Sequence, residues 1–460
     1  MTGGVQHVTR LLFSFAGTIS RKEYVWIAFV GVLLKHALDV KVAWDFFAQP
    51  WGWFSYVLPL SVPVPILSLS TGNAQFIVTM LAASLPFAWV GLAITTKRFR
   101  TVGWPPWLVV LFFVPIANIA SFAIAAASPD REESEVARPG FLARIAPRDR
   151  FGAAIAGVVG SLAVGLVLAF VGTHILTAYG WGLFAAVPFA QGAIAVIIFN
   201  AHERRSLGQD VIVALSSVSL TGAAMLAVAF EGAICIAMAM PIALFFAVVG
   251  AVFGHALSRR SFPQTTSMLM LIAIVPVVMG ADLRMTPVAP LHVVETAILI
   301  DAPPSAVWPH VVDFPDLPAP TELPFLVGIA YPERARIEGR GVGAIRYCEF
   351  STGDFVEPIT VWEPGKLLAF NVAKNAEPMR EWSPYGHIDT PHLHDYMVSR
   401  RGEFILEPMS GGRTRLIGRT WYQHHLWPDS YWTLWSDEII HDIHTRVLVH
   451  IKHLSESGRS

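Results

Sequence analysis

The sequence predicts a multi-pass α-helical membrane bundle followed by an α+β domain, in which an antiparallel sheet surrounds a long C-terminal helix. Three observations predict it. The 460-residue chain is 54% hydrophobic and only 15% charged, with a mean hydropathy of +0.52, whereas a soluble domain carries roughly 25% charged residues. Apolar runs of spanning length fill the chain up to Gly280. After them come short alternating segments separated by turn residues, and then one amphipathic helix from Asp429 to Leu454. On that helix Trp432, Trp435, Ile439, Ile443, Val447, Ile451 and Leu454 recur at spacings of three and four, which places them on one stripe.

The apolar runs lie near Tyr24 to Ala43, Gln75 to Thr96, Trp104 to Ala127, Phe151 to Val171, Tyr179 to Phe199, Val211 to Phe230, Ala233 to Leu257 and Thr265 to Gly280. They amount to about seven or eight spans, depending on whether one is re-entrant. The stretch from Phe54 to Leu69 is apolar but short and carries Pro59, Pro63 and Pro65, so it reads as an interfacial or re-entrant loop. Arg10, Arg21 and Lys22 precede the first run without a small-residue cleavage site, the pattern of a retained membrane anchor.

Basic residues are held on the cytoplasmic side of a membrane. Here they cluster at Arg10, Arg21 and Lys22, at Lys97, Arg98 and Arg100, between Arg131 and Arg150, at Arg204 and Arg205, and at Arg259 and Arg260. All the clusters share one side only if Trp104 to Ala127 is a hairpin broken near Pro115 and Asn118. That arrangement puts the N-terminus in the cytoplasm and the C-terminal domain in the periplasm of a bacterial inner membrane. Were the final run, with Pro276, re-entrant as well, the domain would be cytoplasmic. The resulting division is a membrane module at 1–129, a charged linker at 130–150, a second helix bundle at 151–284 and the α+β domain at 285–460.

Lys35, His36, Asp39 and Lys41 fall in the later half of the first run, where Lys35 and Asp39 are one helical turn apart. Either they line a conducting path, or the hydrophobic part ends near Leu34 and the lysines reach the interface while Asp39 pairs locally. The small residues from Phe151 to Gly160 signal close helix packing. The segments Phe13 to Tyr24 and Lys97 to Trp104, with the Pro115-Ile116 break, resemble the bacterial inner-membrane family known as domain of unknown function 805, over roughly Leu11 to Pro129. Thr18, Arg100 and Thr101 depart from the family's usual Arg and His-Asp pair, and the resemblance implies a membrane location rather than an activity.

In the last third, Val293 to Ile300 alternates as a first strand, and Ser305 to Val312 reads as a short helix. Strands follow at Arg334 to Glu338, Gly343 to Phe350, Phe355 to Trp362, Lys366 to Val372, Arg401 to Glu407 and Arg413 to His424, with turns at Pro364-Gly365 and Gly411-Gly412. The run Thr296 to Trp308, with Val311-Val312-Asp313-Phe314, resembles the opening of the START-like helix-grip superfamily, also called SRPBCC or polyketide cyclase/dehydrase-like, over roughly Leu291 to Glu456. The resemblance implies a sheet gripping the C-terminal helix around an apolar cavity for a lipid or other hydrophobic molecule.

Arg413, Arg415 and Arg419 share one face of the last strand, so Leu416, Gly418, Thr420, Tyr422 and His424 face the helix. The expected ligand-binding residues are therefore Phe404, Leu406, Leu416, Thr420, Tyr422 and His424 on the strands and Trp435, Ile439, Ile443, Val447 and His450 on the helix. Ordinary core packing is the competing reading for each of them. His392 with His394 and His441 with His444 match no zinc spacing, and the latter pair lies off the apolar stripe, so no metal or cofactor is expected. Cys235 and Cys348 have no neighbouring cysteine and read as buried and inert. No Ser-His-Asp order or phosphate loop occurs. The enzymatic alternative is a cyclase or dehydratase using His424 or His450 near Tyr422 as acid or base. A net charge of −1 without a basic stripe argues against nucleic acid. The partners expected are the bilayer and a hydrophobic small molecule or lipid, and no protein partner can be named.

Overall fold

Ser20 opens the first long helix with a reciprocal cap: its hydroxyl accepts from the Glu23 backbone N–H, and the Glu23 carboxylate accepts from the Ser20 N–H. This helix and the other elements are described from a computed structural model covering residues 2–48, 51–53, 71–104, 106–113, 117–128, 130, 146–259, 264–284, 289–388, 393 and 396–457. The Pro-rich stretch 54–69, the 115–116 break, most of the charged linker, and His392 and His394 lie outside those residues. The chain divides into two units, Met1–Met225 with Ala239–Thr286, and Leu226–Met238 with Pro287–Ser460.

The first unit is all helix. Its elements are α1 (Thr2–Phe13), α2 (Arg21–Phe47), α3 (Thr71–Thr101), a 3-10 segment (Pro106–Phe113), α4 (Ala117–Ala127), α5 (Arg150–Phe170), α6 (Val187–Phe199), α7 (Leu207–Ala227), α8 (Ala233–Ser258) and α9 (Gln264–Arg284), with the last residues of α7 and the first of α8 belonging to the second unit. Among the described residues, six helices are long and apolar enough to cross a membrane: Val78–Thr101, Arg150–Ile175, Gly182–Phe199, Leu207–Ala227, Ala233–Ser258 and Gln264–Arg284. The two remaining apolar runs differ for physical reasons. Helix α2 has 27 residues, but Lys35, Asp39 and Lys41 interrupt its apolar stretch, with Asp39 fully buried in an ion pair to Lys35. The 104–127 run is split into the 3-10 segment and α4, each too short to span.

Two of the basic residues counted in the cytoplasmic clusters also make buried contacts within the first unit. Lys97 is buried and donates to the carbonyls of Arg10 and Leu11, while the fully buried Arg98 binds the Ala125 and Ser128 carbonyls and pairs with Asp130. Both bind backbone carbonyls at or just past helix C-termini, where free acceptors concentrate.

Helix α6 is the centre of the bundle, with all 13 residues buried. Small residues let its neighbours approach to backbone contact. A Cβ on Gly157 would lie 2.7 Å from the Ala195 carbonyl oxygen, and one on Gly250 would lie 2.1 Å from that of Phe189. Gln191 on α6 donates to Ser217 at 2.7 Å and to Thr221 at 2.6 Å on α7, and Ser217 bonds Ser161 on α5 at 2.6 Å. We expect Gly250→Ala to destabilise the protein by about 1–3 kcal/mol through overpacking. Gly208→Ala, where a Cβ meets nothing within 4 Å, should be neutral. Thermal unfolding of both variants in detergent checks this, and equal melting temperatures would refute it.

In the second unit the strands are β1 (His292–Ile300), β2 (Pro332–Glu338), β3 (Ile345–Phe350), β4 (Gly353–Glu363), β5 (Leu367–Asn371), β6 (Trp382–Ser383), β7 (Gly386–His387), β8 (Met397–Met409) and β9 (Arg413–His424). The helices are α10 (Pro304–Val312), α11 (Leu323–Val327) and α12 (Asp429–Ser457). Seven strands form one antiparallel sheet in the order β1-β9-β8-β5-β4-β3-β2, and β6 and β7 form a separate hairpin. Irregular pairing at Ile359/Val361 and Ser399/Arg401 bends the sheet. Gly411 and Gly412 both have positive φ, 80° and 69°, which the tight β8–β9 turn requires.

The sheet curls round α12, as a helix-grip domain does. Its core contains Ile300, Val307, Val311, Leu368, Leu416, Leu448 and Ile451. The buried line on α12 runs through Trp432, Ser436, Ile440, Val447, Leu448, Ile451 and Ser455. It is rotated slightly from the apolar stripe because two serines lie on the packed face.

Candidate functional site

Arg346 and Glu357 are direct cross-strand partners on β3 and β4, both pointing into the curled sheet. The Arg346 guanidinium is 2% exposed and pairs with the Glu357 carboxylate, which is 6% exposed. It also donates from Nε to the Val312 carbonyl at 3.2 Å. Its charge faces three aromatic rings, Phe314, Phe370 and Phe404, at 5.5–5.6 Å from the ring centres. Burial lifts the Glu357 carboxyl above its ordinary range, with Arg346 pulling the other way. The adjacent Cys348 thiol is pushed up to about 12 by burial, which keeps it protonated and unreactive.

This pair lies at the wall of a cavity of about 140 Å³ between the sheet and α12. That is room for on the order of ten waters, or for part of a small organic molecule. Phe350, Phe355, Phe370, Phe404 and Met379 line it from the sheet side, and Ile439, Ile443 and Val447 from the helix. The polar lining includes Arg346, Glu357, Asn375, Thr420 and His444. Gly402 is needed beside it, because a Cβ there would lie 2.5 Å from the Phe370 ring.

Strand β9 and helix α12 are joined by three polar rungs. The Thr420 hydroxyl meets His444 Nε2 at 2.7 Å, the Tyr422 hydroxyl donates to Asp437 at 2.6 Å, and His424 Nε2 meets Thr433 Oγ1 at 3.1 Å. Burial, with Asp437 beside it, raises the Tyr422 hydroxyl well above the ordinary tyrosine range. Burial lowers His444 to about 4, so it is a neutral imidazole at pH 7.

The structure sorts the eleven expected ligand-binding residues into two groups. Phe404, Thr420, Ile439, Ile443 and Val447 line the cavity. Leu406 and Leu416 belong to the packed core, and Tyr422 packs with Val294 and Ile440. Trp435 is half-buried outside the lining. His450 stands edge-on to Phe314, with ring centres 5.9 Å apart. His424 sits in a polar cluster with His292 and Asp429. His424 and His450, the acid–base candidates of the enzymatic reading, are therefore both outside the cavity lining.

His444 reverses its expected position. Instead of being solvated, it lines the cavity and bonds Thr296 as well as Thr420. The buried stripe of α12 is broader than its apolar residues alone. Arg346 and Glu357 were missed: parity with the buried Cys348 places Arg346 inward, but the partner that makes this acceptable follows only from the β3–β4 register.

A sheet gripping its C-terminal helix round an aromatic cavity defines a helix-grip domain. Residues 292–388 match the family model described as "Polyketide cyclase / dehydrase and lipid transport". Among solved structures, the chain resembles a point mutant of norcoclaurine synthase from Thalictrum flavum, in complex with a transition-state analogue, at 13% identity. The alignment covers 38% of this chain and 99% of that one, with a TM-score of 0.26. A protein from Nitrosospira multiformis aligns at 17% identity over 36% of this chain and 100% of its own, with a TM-score of 0.24. One from Nitrosomonas europaea aligns at 14% over 36% and 96%, with a TM-score of 0.23. No curated protein sequence matches the chain.

Proposed function

We propose that this is a polytopic protein of a bacterial inner membrane whose C-terminal domain binds a hydrophobic ligand, a lipid or similar molecule, as a carrier or sensor at the membrane face. The observation that carries the reading is the aromatic cavity with one buried charged pair in its wall. Apolar walls suit a hydrocarbon or ring body, and Arg346, Glu357 and Asn375 suit a polar end group. The family description adds support through its mention of lipid transport, and the six apolar helices supply the membrane anchor. In this reading 1–129 is a membrane module of the unknown-function-805 kind, 151–284 a second bundle, and the N-terminus cytoplasmic with the domain in the periplasm.

The test is native mass spectrometry of the full chain in detergent, wild type beside Ile443→Trp, whose larger side chain fills the cavity. Bulk lipid adheres equally to both, so only a cavity ligand separates them. The wild type should retain a defined ligand, and the variant, at similar melting temperature, should lose at least about tenfold in affinity, the equivalent of 1.4 kcal/mol. Equal ligand content in the two would overturn the proposal.

A further inference from the structure

At the end of the domain where β1 begins and α12 begins, three metal-ligating side chains from three elements converge. His292 is the first residue of β1, His424 the last of β9 and Asp429 the first of α12. His292 Nε2 lies 3.0 Å from Asp429 Oδ1, His424 Nε2 lies 3.6 Å from the same oxygen, and one ligand atom from each falls within 4.8 Å of the others. The geometry points to a binding site for a first-row divalent cation, with zinc as the first candidate, held by His292, His424 and Asp429.

Bonds of 2.0–2.2 Å to nitrogen and oxygen at tetrahedral angles set ligand atoms about 3.3 Å apart, the middle of the two separations found. Two imidazoles and one carboxylate leave a fourth position for water, and binding would draw His424 Nε2 from the Thr433 hydroxyl that it meets at 3.1 Å. The rings of His292 and His424 are nearly parallel, 10° apart, with centres 5.2 Å apart, so both present an edge to the same oxygen. His424 Nδ1 is buried and makes no hydrogen bond among the described residues. That leaves Nε2 as the working nitrogen of the ring. Access comes from the side of His292, whose side chain is 14% exposed, whereas those of Asp429 and His424 are 6% and 0% exposed. None of the three lines the aromatic cavity, so the cation site is separate from the proposed ligand site. It would fasten the ends of β1 and β9 to the start of α12.

The experiment uses the full chain in detergent, stripped with a chelator and titrated with cobalt(II), then with zinc(II). One cobalt per chain, with the intense visible absorption of four-coordinate geometry and displacement by zinc, is the expected result. Losing an outer-shell partner of a metal ligand already costs about 10–100-fold in affinity, so His424→Gln and Asp429→Asn should each weaken binding by at least about a hundredfold. Asp429→Asn is nearly isosteric and removes only the charge, and circular dichroism with a melting curve confirms folding. His425→Gln, at an exposed neighbour, should leave binding unchanged. Failure to bind one cobalt per chain would overturn the site, as would binding that survives in folded His424→Gln and Asp429→Asn.

Discussion

Arg346→Met should lower the stability of the C-terminal domain by about 3–5 kcal/mol, because it leaves the Glu357 carboxylate buried with no opposite charge. The rest of the carboxylate's surroundings cannot compensate, since the wall around it is aromatic and Phe355 and Phe370 are among its neighbours in the lining. The double variant Arg346→Met with Glu357→Leu should recover most of the loss, since replacing both members of a buried pair by apolar groups of similar volume is often neutral. Urea unfolding followed by tryptophan fluorescence measures the three variants, and the coupling between the two sites follows from the cycle. A single variant within about 1 kcal/mol of wild type would show that Glu357 is wet or neutral in the folded protein, contrary to its burial. The cycle also bears on function. A double variant that folds as well as wild type but loses the ligand would show that the pair is kept to hold a polar group rather than to stabilise the fold.

The reason such a pair escaped sequence reading is instructive beside what did not. The strands from Arg334 to His424 and the long helix were legible because alternation and helical periodicity are local signals, written within ten or so residues. The β9 face was legible too, since three arginines at odd positions forced Thr420, Tyr422 and His424 inward, and each of these now meets a partner on α12. By contrast, Arg346 is acceptable inside only because Glu357 stands opposite it across a turn, a fact about register that neither strand states alone. The His292, His424 and Asp429 cluster joins residues 137 positions apart in its longest hydrogen bond, and no spacing rule reaches that far. In the bundle, the small residues near Phe151 announced close packing, but Gln191 binding Ser217 and Thr221 depends on which helices become neighbours. The 54–69 loop and the 115–116 break lie outside the described residues.

Acidification should weaken the domain through His444. Its imidazole is lowered to about 4 chiefly by burial, with His441 beside it adding to the effect, against an unfolded value near 6.5. A group with a depressed folded pKa binds its proton more readily in the unfolded chain. Its contribution is therefore complete above roughly pH 6.5 and is lost as the pH falls toward 4. At 1.36 kcal/mol per unit, the 2.5-unit interval corresponds to about 3 kcal/mol, most of it gone by pH 4. His424, which burial also lowers to about 4, and His450, lowered by burial, act in the same sense, while Glu357 acts in the opposite one because burial raises its carboxyl, so the wild-type slope alone does not report on His444. Replacing His444 by Gln isolates its share. The Gln amide can still bond the Thr420 hydroxyl that now meets Nε2 at 2.7 Å, yet it does not titrate. Unfolding free energies at pH 7, 6, 5 and 4.5 should fall more steeply for wild type than for His444→Gln. Parallel curves would mean that water reaches the imidazole in the folded state. The same titration reaches the cavity, because His444 is part of its wall. As the pH approaches 4 a positive charge would enter beside Thr420, so retention of an apolar ligand should fall with the stability, whereas a ligand with an anionic end should be held more tightly. Ligand retention by wild type and His444→Gln across the same pH series therefore distinguishes a neutral hydrophobic ligand from an anionic lipid.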